Sequence, residues 1–198
     1  MSGLHSRLAK LSPEQRALLA QRLTKKTILS SSRVNALPEV QPDPEHRYDP
    51  FPLTELQQAY WIGRSGAFEI GQVAAHCYLE IESDDVNIER LNNAWQQLVD
   101  RHEMLRAVIL PDGQQRVLES VPPYKIRAVD LRGQGSELVE AQLQQIRRRM
   151  SHQVLPSDQW PLFDICAILL SKDCIRLCVS LDALMIDGWS IALLFKGA

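Results

Sequence analysis

The chain has 198 residues, 45% of them hydrophobic and 23% charged, with a formal net charge of -2. That length gives one or two domains with a sizeable core, and the near-neutral balance supplies no basic stripe for nucleic acid. No apolar run approaches the roughly 18 residues that span a bilayer, and Met1-Ser2-Gly3-Leu4-His5 does not open a signal peptide, so a cytoplasmic protein with neither membrane nor nucleic-acid partner is expected.

The chain begins with a capping signal. Ser12-Pro13-Glu14-Gln15 offers an N-cap serine, proline at the first helical position and a capping-box glutamine, and it leads into Ala17, Leu18, Leu19 and Leu23. A short amphipathic helix is expected to about Lys25. From Ser30 to Pro50 periodicity is lost and Pro38, Pro42, Pro44 and Pro50 favour an extended tether. Residues 1–48 are therefore expected to form an appendage, either a docking element toward a preceding subunit or an overhang packed on the main body, which would run over residues 49–198.

The main body opens on Phe51-Pro52-Leu53-Thr54, with Thr54 as a cap and Leu53, Leu56, Ala59 and Tyr60 on one helical face. A strand is expected over about 77–81, and then a helix over about 87–102 with Ile88, Leu91, Trp95, Leu98 and Val99 as its apolar stripe. Residues 105–110 and 115–118 read as a hairpin around Pro111-Asp112-Gly113, and 125–129 as a further strand. Val139, Leu143, Ile146 and Met150 mark a helix over 136–152 with Ser136 as its cap. The Arg147-Arg148-Arg149 cluster lies there among glutamines and reads as a solvated face.

Two alternating strands, 164–170 and 174–181, end the pattern, and a helix begins near Gly188. The mixed order argues an α/β sandwich with one sheet covered by helices, and no Gly-rich phosphate loop is present. Cys77, Cys166, Cys174 and Cys178 lack CxxC spacing, so neither a zinc site nor a disulfide framework is indicated and no metal is expected. Cys174 and Cys178 share a strand face but stand about 13 Å apart at ~3.3 Å per residue, too far to share a metal.

The chemistry concentrates after the last strand. Asp182-Ala183-Leu184-Met185-Ile186-Asp187-Gly188-Trp189-Ser190 places two carboxylates and a hydroxyl in one turn, although Asp before a helix is also an ordinary cap. Upstream stand Phe51-Pro52-Leu53-Thr54-Glu55-Leu56-Gln57-Gln58-Ala59-Tyr60-Trp61-Ile62-Gly63-Arg64 and Arg101-His102-Glu103-Met104-Leu105-Arg106, the latter followed by Asp112-Gly113-Gln114-Gln115. The three motifs, in this order, resemble the heterocyclization domains of nonribosomal peptide synthetases, in the condensation-domain superfamily, where they read FPLTxxQxAYWxGR, RHxML…xDGxQ and DxxxxDxxS.

The resemblance implies a chloramphenicol acetyltransferase-like fold, of which this chain is the N-terminal lobe with an upstream linker. The whole domain is a pseudo-dimer of two such lobes with the active site in a tunnel between them. It implies condensation of an upstream acyl or peptidyl thioester with carrier-bound Cys, Ser or Thr, and cyclodehydration to a thiazoline or oxazoline, of the kind found in siderophore biosynthesis. The implied partners are upstream and downstream peptidyl carrier proteins, the C-terminal lobe and, through the leading helix, a preceding synthetase subunit. No cofactor is bound directly; substrates ride on phosphopantetheine arms.

Peptide-forming condensation domains carry HHxxxDG at the third motif, and alignment on Asp187-Gly188 puts Asp182 at the first histidine and Ala183 at the second. Ala183 moves no proton, so a mechanism resting on that histidine is excluded. Asp182 is then the candidate facing the tunnel, Asp187 the one holding the loop, paired with Arg101, Arg106 or an arginine of the other lobe, and Ser190 a polar liner or cap. Tyr60, Trp61 and Arg64 line the tunnel, contact the carrier arm, or pack. His76 and His102 are expected to pack or cap. The other reading is a non-catalytic docking module, or a condensation domain with a degenerate site.

Overall fold

The computed structural model describes residues 41–64, 73–84 and 86–196, with side chains through Leu194. The expected leading helix and most of the proline-rich tether lie outside the described residues. The chain divides into two units, Met1–Pro44 and Glu45–Ala198, and every strand and helix described lies in the second.

Seven strands and four α-helices are described in this unit. They are β1 (Phe51–Pro52), α1 (Glu55–Arg64), β2 (His76–Asp84), α2 (Ile88–Arg101), β3 (Ala107–Ile109), β4 (Gln114–Val117), β5 (Arg127–Asp130), α3 (Ser136–Met150), β6 (Phe163–Leu169), β7 (Cys174–Asp182) and α4 (Gly188–Lys196). The main sheet has the order β2-β7-β6-β5, with β5 parallel to β6 and the other pairs antiparallel. Where the sequence suggests one sheet and a separate hairpin, β1, β4 and β3 form a second, three-stranded sheet. A 3-10 turn over Glu103–Arg106 takes up the start of the expected first hairpin strand. The turn itself holds Gly113 at φ +81, a backbone conformation open to glycine, while the Gln114 amide donates to Asp112 Oδ1 at 3.0 Å.

Alternation along β6 explains how one sheet meets two helices. Phe163, Ile165 and Ala167 join α2's Trp95 and Val99 in one core cluster, whereas Cys166 and Ile168, with Cys178, pack beneath α3's Leu143, Ile146 and Met150 in another. Phe163 is the centre of an aromatic group, its ring 5.1 Å from Trp95 and 4.8 Å from Tyr124 in edge-to-face contact. Asn87 caps α2 by accepting from the Arg90 amide at 3.0 Å. At α3 the cap position belongs to Gly135, not to Ser136, which is the first helical residue.

Helix α1 corrects one expectation. Thr54 does form a capping box, Gln57 Oε1 accepting from the Thr54 amide at 2.9 Å. Yet Leu56 is 60% exposed and Ala59 is exposed as well, while Gln57, Tyr60, Trp61 and Arg64 turn inward. The half-buried line at i, i+3, i+4 and i+7 contains two polar residues, Gln57 and Arg64, and a count of apolar side chains alone places the helix on the wrong face.

Candidate active site

The aspartate loop leaves β7 under several backbone constraints. The Asp182 amide donates to Leu162 O at 3.0 Å, the Ala183 amide to Ala75 O at 2.9 Å, and the Met185 amide to Asp182 O at 3.2 Å. Leu184 and Met185 are buried and anchor the loop in the core that α2 shares. The chain turns outward only at Asp187 and enters α4.

A cleft of about 750 Å³ opens beside this loop. Its wall brings the three sequence motifs together, with Gln57 and Tyr60 from α1, Arg101 and His102 from the end of α2, Gln115 from β4, and Ala183, Asp187 and Ser190 from the loop and α4. Its remaining lining is largely apolar, including Leu105, Met185 and Leu194, so a polar group inside it works against a partly desolvated background. Arg47 and Glu103 also line the cleft, and they form an ion pair.

The two aspartates exchange the places expected for them. Asp182 is 2% exposed and is not part of the cleft wall. Its Oδ2 accepts from the Arg64 guanidinium, and its Oδ1 accepts from the Leu184 amide at 3.0 Å. Asp187 is exposed on the cleft wall. Its Oδ1 accepts from the Ser190 amide at 2.7 Å, which caps α4 and holds the carboxyl below the usual carboxylate range, with the Ser190 side chain adding to the effect. The buried arginine pairing expected for Asp187 thus belongs to Asp182. The reason is local: Asp182 is still a strand residue with its side chain under α1, whereas Asp187 lies past the buried Leu184-Met185-Ile186 segment.

Neither Arg101 nor Arg106 pairs with Asp187 among the described residues. Arg106 is buried and spends its guanidinium on backbone, donating to Val99 O at 2.6 Å, Asp100 O at 2.8 Å and Leu118 O at 3.1 Å, which satisfies carbonyls at the end of α2. Arg101 is on the cleft wall. Of the three aromatic and basic candidates on α1, Tyr60 lines the cleft, Arg64 holds Asp182, and Trp61 packs on the hairpin turn, where a Cβ on Gly113 would sit 3.1 Å from its ring. His102 closes α2 through its amide to Leu98 O at 2.8 Å and lines the cleft, and His76 Nδ1 lies 3.1 Å from Ala74 O. Gln57 and Gln115 are polar members of the site that residue type and spacing do not single out, although both stand inside the sequence motifs. No group of three or more His, Cys, Asp or Glu able to hold a metal occurs among the described residues, and no described helix is long and apolar enough to cross a membrane.

The family model for the condensation domain matches residues 48–197. Pyochelin synthetase PchF of Pseudomonas aeruginosa is 34% identical over 177 residues, covering 89% of this chain and 10% of its own length. Phenyloxazoline synthase MbtB of a Mycobacterium species is 39% identical over 156 residues, covering 75% of this chain and 13% of its own. Among solved structures, the cyclization-docking bidomain of the synthetase EpoB from Sorangium cellulosum superposes with a TM-score of 0.78 at 34% identity, over 93% of this chain and 37% of that one. The chain belongs to the condensation-domain family. Within it, the chain has the chloramphenicol acetyltransferase-like α/β fold of heterocyclization-type nonribosomal peptide synthetase domains, and it spans well under half the length of each of these relatives.

Proposed function

We propose that this lobe supplies half of an active site that joins an upstream acyl or peptidyl thioester to carrier-bound Cys, Ser or Thr and cyclizes the product to a thiazoline or oxazoline. In the first step the acceptor amine attacks the thioester carbonyl, and the carrier thiol leaves with the amine's proton. In the second the side-chain thiol or hydroxyl attacks the new amide carbon, and the amide oxygen departs as water. The partner proposed for residues 1–48 is a preceding synthetase subunit. Upstream and downstream carrier proteins present the substrates on phosphopantetheine arms, the C-terminal lobe closes the cleft, and the setting is the cytoplasm.

The observation that carries this reading is the cleft wall at residues 183–190. Ala183 lines the cleft at the position aligned with a condensation domain's second histidine, and the exposed Asp187, with the half-buried Ser190 beside it, supplies the polar groups of that segment. A carboxylate held low by an amide donor accepts a proton weakly, so Asp187 is assigned to orienting the attacking group and not to acting as the acid for water loss. Asp182, with both oxygens engaged, positions the loop.

The test is the parent synthetase that contains this lobe, supplied with donor and cysteinyl carrier proteins, with the carrier-bound product followed by intact mass. Amide formation with loss of one water supports the proposal, and Asp187→Ala should lower the rate of water loss. A folded complete domain that loads and forms no amide refutes it and leaves the docking reading.

A further inference from the structure

Gln57 lies where the three motifs meet, and its side chain is saturated with partners. Its Nε2 donates to Leu184 O in the aspartate loop at 2.6 Å and to Gln115 Oε1 at 3.1 Å. Its Oε1 accepts from the Thr54 amide at 2.9 Å and from Gln115 Nε2 at 3.2 Å. Gln115 is itself buried and also donates to Pro52 O at 3.1 Å. Leu184 is buried, and its amide donates to Asp182 Oδ1. A continuous line therefore runs from the hairpin sheet through Gln115, Gln57 and Leu184 to Asp182 and Arg64.

Helix capping alone does not require this residue. A capping box needs only an acceptor at Gln57, which a glutamate provides equally well. The bond to Leu184 needs a donor on the same group, and only a side-chain amide of this length supplies both. After the bond from the Ala183 amide to Ala75 O the strand register has ended, so a donor aimed at the buried Leu184 carbonyl restrains the loop just where strand pairing stops.

We propose that Gln57 is a positioning residue of this site, its amide clamping the aspartate loop to α1 and to the β3-β4 hairpin, with Gln115 holding that amide in orientation. The clamp sets where Asp187 and Ser190 stand along the cleft wall. Its part in catalysis rests on the function proposed above, whereas the clamp itself is observable without turnover.

The experiment is hydrogen exchange with mass spectrometry on the 198-residue chain, comparing peptides over 182–191 and 53–60. Gln57→Glu keeps the acceptor for Thr54 and removes the donor to Leu184. The loop peptide should then exchange on the order of tenfold faster, the factor for one buried hydrogen bond, while the first turn of α1 is unchanged. Gln57→Met should open both segments. Gln58→Glu, the same charge on the exposed neighbour, gives up a 3.3 Å bond to Leu53 O and should leave the loop peptide unchanged. Wild-type loop exchange in Gln57→Glu overturns the proposal, and so does equal loop opening in Gln58→Glu. Should Gln57→Glu fail to fold, Gln115→Leu removes the orienting partner, together with its bond to Pro52 O, and leaves the Gln57 amide itself in place; unaltered loop exchange there overturns the proposal as well. In the parent synthetase Gln57→Glu should lower kcat for cyclization with little change in KM for the loaded carrier. An opened loop with wild-type turnover instead refutes the loop's part in catalysis and leaves the clamp standing.

Discussion

Removing either partner of the Arg64–Asp182 pair should cost far more than removing both. The two side chains are 6% and 3% exposed, so each charge has given up most of its hydration and depends on the other. Arg64→Met leaves Asp182 buried with only the Leu184 amide, and Asp182→Leu strands a guanidinium whose Nε already lacks a partner among the described residues. Each single change should destabilise the chain by about 3–5 kcal/mol, a fifth or more of a typical domain's stability of roughly 5–15 kcal/mol. The double variant Arg64→Met with Asp182→Leu replaces the pair by apolar groups of similar bulk and should recover most of that loss, because its desolvation cost disappears with it. Urea unfolding of the four proteins gives the cycle, with the slope checked for constancy before midpoints are compared. Single losses below about 1 kcal/mol that simply add in the double variant would refute the buried-pair argument and return Asp182 to the pool of groups free for proton transfer.

Other outcomes are as definite. Gly113→Ala should destabilise by about 1–2 kcal/mol, because the residue sits at φ +81 with a new Cβ 3.1 Å from the Trp61 ring, and the shift should appear in tryptophan fluorescence as well as in the unfolding midpoint. Phe163→Ala should cost about 3–5 kcal/mol, since Trp95, Tyr124 and Trp160 all pack edge-on against that ring, and thermal unfolding reads the loss. Asp187 has a carboxyl depressed by the Ser190 amide, so its contribution is present above the unfolded carboxylate pKa and disappears as pH falls through the lower folded value. Asp187→Ala should therefore reduce the stability gained on raising pH through the acid range, and an unchanged pH profile would show that the cap contributes nothing.

The fold was legible wherever periodicity and packing agree. The alternation on β6 and β7 and the stripe on α2 give those elements nearly to their ends, because the residues of that stripe, Ile88, Leu91, Trp95, Leu98 and Val99, and the apolar residues of both strands pack into the core. Helix α1 broke the rule, for its inward line holds Gln57 and Arg64, which are turned inward by polar partners, Leu184 O and Asp182, and not by apolarity. The second sheet was hidden for a different reason. Strand β1 is two residues long and contains a proline, and only its pairing with Gln114 and Gln115 defines it. Likewise the direct opposition of Cys166 and Cys178 across β6 and β7 is a matter of register, which spacing along one strand cannot express.

The candidate site divides along the same physical line. That Asp187 and Ser190 stand side by side was readable from their spacing, since the Asp187 carboxylate three positions ahead reaches the Ser190 amide as a cap. Which aspartate is buried was not, because it depends on where β7 stops pairing, and β7 holds its ladder through Asp182 against His76. Residues still inside a ladder keep one face under the next layer, so Asp182 meets α1 and must be paired, and Asp187, five positions on, is released to the cleft. An ion pair built into the last rung of a strand and a donor from Gln57 two residues later then restrain the same loop from its two sides. If both restraints act on one segment, Arg64→Met and Gln57→Glu should couple in loop exchange, and strict additivity would mean that they hold separate pieces of it.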